Sequence, residues 1–181
     1  MRVLVVYASK YGATRGIAER ITATLKQSGL EADMVPAGKA GSLDGYDGFV
    51  IGSAAYMFSW LHEATDFIRR NAALLKTKPV WLFSSGPIGN NKTDEKGRDV
   101  LETTVPKEFA EFEQSIHPRG LKVFFGAFDH TKLSFAHRMV YAMPAMKNAL
   151  LDGDWRDWDA IDAWAMSIAS SLTPAITASS S

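Results

Sequence analysis

The first twenty-one residues constrain this chain more than any other stretch. Arg2-Val3-Leu4-Val5-Val6-Tyr7-Ala8 is a nearly unbroken apolar and β-branched run, the pattern of a strand buried on both faces. It stops at Ser9-Lys10-Tyr11-Gly12-Ala13-Thr14, after which Ile17, Ala18, Ile21 and Leu25 recur at helical spacing. A strand, a short polar loop and a helix aim backbone N–H groups and a helix N-terminus at one point, which suits a phosphate. Ser9 and Thr14 add hydroxyls, Lys10 adds a positive charge and Gly12 permits close backbone approach. The loop lacks the Gly-Lys-Ser/Thr of a Walker loop and the Gly-x-Gly-x-x-Gly of a dinucleotide site.

Along the rest of the chain, the first helix is predicted to end at Ser28-Gly29, and Leu30 to Val35 reads as a second strand. Glu31 and Asp33 place that strand at a sheet edge. Gly48 to Ala54 is a third strand, Val80 to Phe83 a fourth and Leu121 to Ala127 a fifth. Helices are predicted from Leu61 to Leu75, from Pro106 with Phe109, Phe112 and Ile116 inward, and through Ile161, Trp164, Ala165, Ile168 and Leu172. Asn90 to Thr104 reads as a surface loop. Buried strands alternating with helices predict an α/β fold, a doubly wound five-stranded parallel sheet of order 2-1-3-4-5 with helices on both faces. A single domain over residues 1–172 is expected, with 173–181 a frayed Ser/Ala/Thr tail.

In such sheets ligands gather at the carboxyl ends of the strands. The loops after Ala8, Ala54 and Phe83 should therefore meet. The second, Ala55-Tyr56-Met57-Phe58-Ser59-Trp60, packs three aromatics into five residues; Tyr56 is read as a flat ring for stacking and Trp60 as core. The third, Ser84-Ser85-Gly86-Pro87-Ile88-Gly89, offers backbone groups and small side chains. Leu133, Ala136, Met139 or Val140, Met143, Met146 and Leu150 form a helical stripe interrupted by Pro144. That stripe reads as packing on the sheet or a second subunit, or else as a greasy surface over 133–147 facing a substrate or a membrane. His62, just after the aromatic loop, reads as surface or core ahead of a place near the site, and His137 and Arg138 as surface or core ahead of meeting substrate carboxylates, leaving the catalytic residues unassigned.

Twenty basic residues balance twenty acidic ones, so no overall field recruits nucleic acid. With no cysteine, disulfides, thiol nucleophiles and iron–sulfur ligation are excluded. Met1 leads straight into the first strand, and no apolar run approaches the ~20 residues of a membrane span. A cytoplasmic location is expected, with the inner membrane face as a peripheral contact in the second reading of 133–147.

The first loop resembles the phosphate signature of flavodoxins: Val5, Val6, Tyr7, Ser9, Gly12, Thr14, Ala18 and Ile21 each occupy a signature position. Nearly the whole chain resembles, more closely, the menaquinone-dependent protoporphyrinogen oxidase branch of that superfamily. The likeness rests on Val50-Ile51-Gly52-Ser53, on Phe124-Phe125-Gly126-Ala127-Phe128 and on Asp157-Trp158-Asp159-Ala160-Ile161-Asp162-Ala163-Trp164-Ala165. It implies FMN held by Ser9, Lys10, Tyr11, Gly12, Ala13 and Thr14, with the ring between Ala54, Ala55, Tyr56, Met57 and Ser85, Gly86, Pro87, Ile88, Gly89. It implies an oxidoreductase for a large apolar substrate such as protoporphyrinogen, with a quinone as acceptor and no metal. The alternatives are an electron carrier serving a redox partner protein, and a binding protein that has lost FMN. Phe58 motivates the last, standing where the resemblance calls for glycine and crowding the ring.

Overall fold

Val3, Val5 and Tyr7 face one side of the first strand, Leu4, Val6 and Ala8 face the other, and all six are buried. That strand therefore needs cover on both faces, and the fold supplies it. The computed structural model describes residues 1–134, 139, 142 and 152–173. In chain order the elements are β1 (Arg2–Ala8), α1 (Ala13–Gln27), β2 (Glu31–Pro36), β3 (Gly48–Tyr56), β4 (Ser59–Trp60) and α2 (His62–Leu75). There follow β5 (Val80–Ser85), α3 (Val100–Thr103), α4 (Glu108–Ile116), β6 (Gly120–Phe124), β7 (Ala127–Phe128), β8 (Gly153–Asp154) and α5 (Trp158–Leu172).

The long strands run in the order β2-β1-β3-β5-β6, all parallel, with the short β4 turned back antiparallel on β3. Counting long strands alone, this is the 2-1-3-4-5 order that the sequence predicts, with β2 at the edge. On one face α1 and α5 pack over Val3, Val5, Val50 and Phe83 through Ile17, Ile21, Leu25, Ile161, Ala165 and Ile168. On the other, α2 and α4 pack over Leu4, Val6, Ile51 and Leu82 through Ala64, Phe67, Ile68, Phe109, Phe112 and Ile116. Gly52 marks a close approach inside the first layer. A Cβ there would lie 2.0 Å from the ring of Phe83, its neighbour on β5.

Local chemistry sets the helix ends. Gly29, with φ +85°, terminates α1 as predicted, and the Asp157 carboxylate accepts the Ala160 N–H at 2.9 Å to open α5. Arg20 and Thr24 on α1 both bind Asp162 on α5. At the exposed edge, Asp33 accepts from Arg2 at 2.6 Å and from the Tyr46 hydroxyl at 3.0 Å.

Four boundaries differ from the sequence reading. The third strand continues past Ala54 to Tyr56, because Ala55 and Tyr56 pair with Trp60 and Ser59 in a hairpin. The fourth runs on to Ser85, paired with Ala54 and Phe124. The fifth stops at Phe124, and Ala127 instead pairs with Asp154 in a separate two-stranded ribbon. The stretch read as a loop carries α3, capped by the Asp99 carboxylate on the Leu101 N–H. The stripe Leu133 to Leu150, with His137, Arg138 and Pro144, lies largely outside the described residues, as does the tail beyond Thr173.

Candidate functional site

The loop Ser9–Gly12 leaves β1 and enters α1 through Gly12, whose φ of +93° is left-handed and suits glycine. The Gly12 N–H donates to the Ser9 hydroxyl at 3.1 Å, and the first helical bond runs from Gly16 N to Gly12 O at 3.0 Å. The N–H groups of Ala13, Thr14 and Arg15 therefore precede the intrahelical ladder. No acidic side chain sits in the first turn of α1, so nothing there opposes an anion at its positive end.

Thr14 is buried, and its hydroxyl lies 2.8 Å from that of Ser85, 71 residues away. This bond fastens the loop after β1 to the end of β5. Two hydroxyls carry two protons, and their mutual bond uses one of them.

Between these loops lies a cavity of ≈ 260 Å³. Ser9, Lys10, Tyr11, Ala13 and Thr14 line it from β1, and Ala54, Ala55, Tyr56 and Met57 from β3. Ser85, Gly86 and Ile88 line it from β5. Gly12, Pro87 and Gly89, predicted with them, stand off this wall; Gly12 borders the neighbouring hollow. The Pro87 carbonyl instead accepts the Gly126 N–H at 2.7 Å, tying two loops together. A fourth wall, Gly126, Ala127, Phe128 and Asp129, was missed by sequence reasoning. The signal existed, since this loop also follows the carboxyl end of a parallel strand.

Tyr56 retains 44% of its surface exposed, and the Lys10 ammonium sits 5.8 Å from its ring centroid. Burial first, and Tyr11 second, push its hydroxyl up to about 12, so the phenol is neutral at physiological pH. Across the cavity, Thr131 holds the Asp129 carboxyl below the usual range by donating from both its hydroxyl and its N–H.

The β3–β4 hairpin that carries Tyr56 turns at Met57 and Phe58, with φ of +50° and +63°. Both central residues are left-handed, as in a two-residue type I′ hairpin turn, although neither is Asn or Gly. Polar anchors hold this hairpin from below: Trp60 Nε1 donates to Ser84 Oγ, the Trp60 N–H to Glu108, and the Lys107 N–H to the Phe58 carbonyl. Trp60 is core, as expected, edge-on to Phe109 with ring centroids 5.3 Å apart. Phe58 lines neither hollow, so its bulk does not narrow the cavity. His62 borders the neighbouring hollow rather than this cavity.

The order of the long strands, the loop signature and the cavity at the strand ends define one architecture, and a family model described as a flavodoxin domain matches residues 4–150. The chain belongs to the flavodoxin-domain family. FMN is the cofactor that this membership brings. The flavodoxin-domain chain is similar in fold to an archaeal flavodoxin, at 14% identity over 94% of this chain and 98% of that one, TM-score 0.57. It is similar to the Streptococcus pneumoniae TIGR4 flavodoxin, at 17% identity over 95% and 100% of the two chains, TM-score 0.60. Rubredoxin oxygen:oxidoreductase from Desulfovibrio gigas aligns at 13% identity over 94% of this chain, TM-score 0.60, and this chain spans only 36% of it. The donor chemistry of the flavodoxin-domain site fits a phosphate ester: open N–H groups, hydroxyls and an ammonium at one end, small and aromatic side chains at the other.

Proposed function

We propose that this flavodoxin-domain protein is an FMN-dependent oxidoreductase for a large, flat, apolar substrate, of which protoporphyrinogen is the example its sequence resembles, with a quinone as electron acceptor. The observation that carries the reading is the meeting of an anion-accepting helix start with aromatic and small-residue walls in one cavity. Ser9, Lys10, Tyr11, Gly12, Ala13 and Thr14 would hold the phosphate, by backbone N–H groups, hydroxyls and one ammonium. Ala54, Ala55, Tyr56 and Met57 would form one wall of the ring site, and Ser85, Gly86, Pro87, Ile88 and Gly89 the other. When bound, FMN supplies the redox chemistry, taking up a hydride or single electrons. The chain's own part is placement: a neutral Tyr56 presents a flat face, and the Thr14–Ser85 bond fixes the spacing between phosphate loop and ring wall.

An electron carrier without its own substrate is the second reading, and a specific observation favours it. Tyr56, Met57, Phe58 and Ile88 leave an exposed apolar rim beside the cavity, suited to a redox partner protein. Contact with the inner membrane face belongs to the first reading, through 133–147. Among the described residues, no helix is long and apolar enough to cross a membrane.

The test is a visible absorption titration of the purified protein with FMN, followed by turnover assays. Saturable binding with oxidation of protoporphyrinogen and reduction of menaquinone supports the oxidoreductase. Saturable binding with reduction of a partner protein, but no turnover of either small molecule, selects the carrier. No FMN binding defeats both and returns the site to a binding protein.

A further inference from the structure

A second, larger hollow of ≈ 1070 Å³ opens on the other side of the β1 loop, toward the end of β2 and the start of α2. It shares Ser9, Lys10 and Tyr56 with the cofactor cavity, so the Lys10–Tyr56 contact forms a common wall. Tyr7, Ala8, Pro36, Ala37, Trp60 and Leu61 complete its apolar lining.

Its charge is one-sided. Lys10, Arg15 and Lys39 border it, against the single carboxylate of Glu63 and the imidazole of His62. Arg15 is committed to Glu19 on its own helix at 2.8 Å. Among the described residues, neither Lys10 nor Lys39 is paired with a carboxylate. With Lys10 given to the cofactor phosphate, the Lys39 ammonium over an apolar floor complements a molecule with an apolar body and an anionic head.

We propose that this hollow is a separate binding site for a small apolar organic anion, seated beside the cofactor and reaching it across the Lys10–Tyr56 wall. The proposal rests on the FMN reading only in assigning the adjoining cavity to the cofactor. Lys39 is the discriminating residue, since it borders this hollow and not the cofactor cavity.

The test is calorimetric titration of the FMN-loaded protein with naphthalenesulfonate, and in parallel with its uncharged sulfonamide. One saturable sulfonate site is expected. Its affinity should fall about tenfold or more in Lys39→Glu, where a short-range attraction becomes a repulsion, and persist in Lys39→Arg. The sulfonamide should change by less than about twofold across these variants, and FMN affinity, read by flavin fluorescence, should not change. Absence of saturable sulfonate binding, indifference to Lys39→Glu, or displacement of the probe by added FMN would overturn the proposal. Lys39-dependent co-sedimentation with phosphatidylglycerol vesicles, without sulfonate binding, would assign the cations to a lipid surface and overturn it equally. If the protein takes up no FMN, the redox reading fails, while the same titration of the unloaded protein still judges the hollow.

Discussion

At the scale of single residues, the site depends on one hydroxyl pair. Thr14→Val leaves the buried Ser85 hydroxyl without its partner, at a cost of about 1–3 kcal/mol in stability. Ser85→Ala mirrors it, and the double variant should cost less than the sum of the two, because they remove the same bond. Urea denaturation of the three variants checks this; strict additivity would mean that the hydroxyls act independently. Two glycines give a sharper contrast. Gly52→Ala drives a methyl group into the ring of Phe83 between two strands, where nothing can yield cheaply, and should cost at least about 1–3 kcal/mol by the same assay. Gly16→Ala meets the terminal nitrogen of Arg156, whose guanidinium is held by the Ala13 carbonyl, Asp154 and the Trp158 ring, so lost contacts offset the gain in helix propensity and the cost should stay below that of Gly52→Ala.

At the scale of elements, the β3–β4 hairpin sets local preference against position. Left-handed backbone costs a side-chain-bearing residue about 1–2 kcal/mol, and both Met57 and Phe58 adopt it while keeping 89% and 50% of their surface exposed. The double substitution Met57→Asn with Phe58→Gly supplies the residues that such a turn favours, and should raise the melting temperature by roughly 2–4 °C per kcal/mol relieved. Under the carrier reading it should also slow electron transfer to a partner protein, since it strips the apolar tip. A gain in stability with no loss of transfer rate would confirm the strain and show that the tip does not serve docking. This turn was not legible in the sequence, because neither residue carries the Asn-Gly signature. The strand ends at Ala8, Tyr56 and Ser85 were legible to within two residues, because strands buried on both faces announce where they stop. The fourth wall escaped, because the apolar run Val123 to Phe128 crosses Gly126 with no polar break to mark the end of β6. The second hollow escaped for another reason. Lys39 and Trp60 become neighbours only once β2 and α2 are laid beside β1.

At the scale of the whole molecule, the charges that matter for folding are paired across elements. Asp162 is held below the usual carboxylate range chiefly by the Arg20 hydrogen bond, Asp33 by Arg2 and Glu111 by Arg69. A carboxyl with a lowered folded-state pKa stabilises the fold above its ordinary value, 3.8 for Asp and 4.5 for Glu, and loses that contribution as pH falls toward the folded value. The urea midpoint should therefore stay level from neutral pH to about 5 and decline below about 4. These pairs are solvent-exposed, so salt should flatten the decline. Tyr56 acts at the opposite end. The unfolded phenol ionises at 10 and the folded one at about 12, so stability should fall as pH rises through that interval, and Tyr56→Phe should remove that share of the loss.

The helical layer over Val3, Val5 and Tyr7 joins the beginning of the chain to its end, since α5 covers the strand and helix made first. On the ribosome this has a consequence in time. The strand β1 and helix α1 emerge well before α5, so the side that α5 shields stays bare until α5 has followed. The opposite layer, closed by α2 and α4, can assemble while synthesis continues. A nascent chain of this protein thus carries one finished flank and one greasy one for as long as α5 trails behind α4.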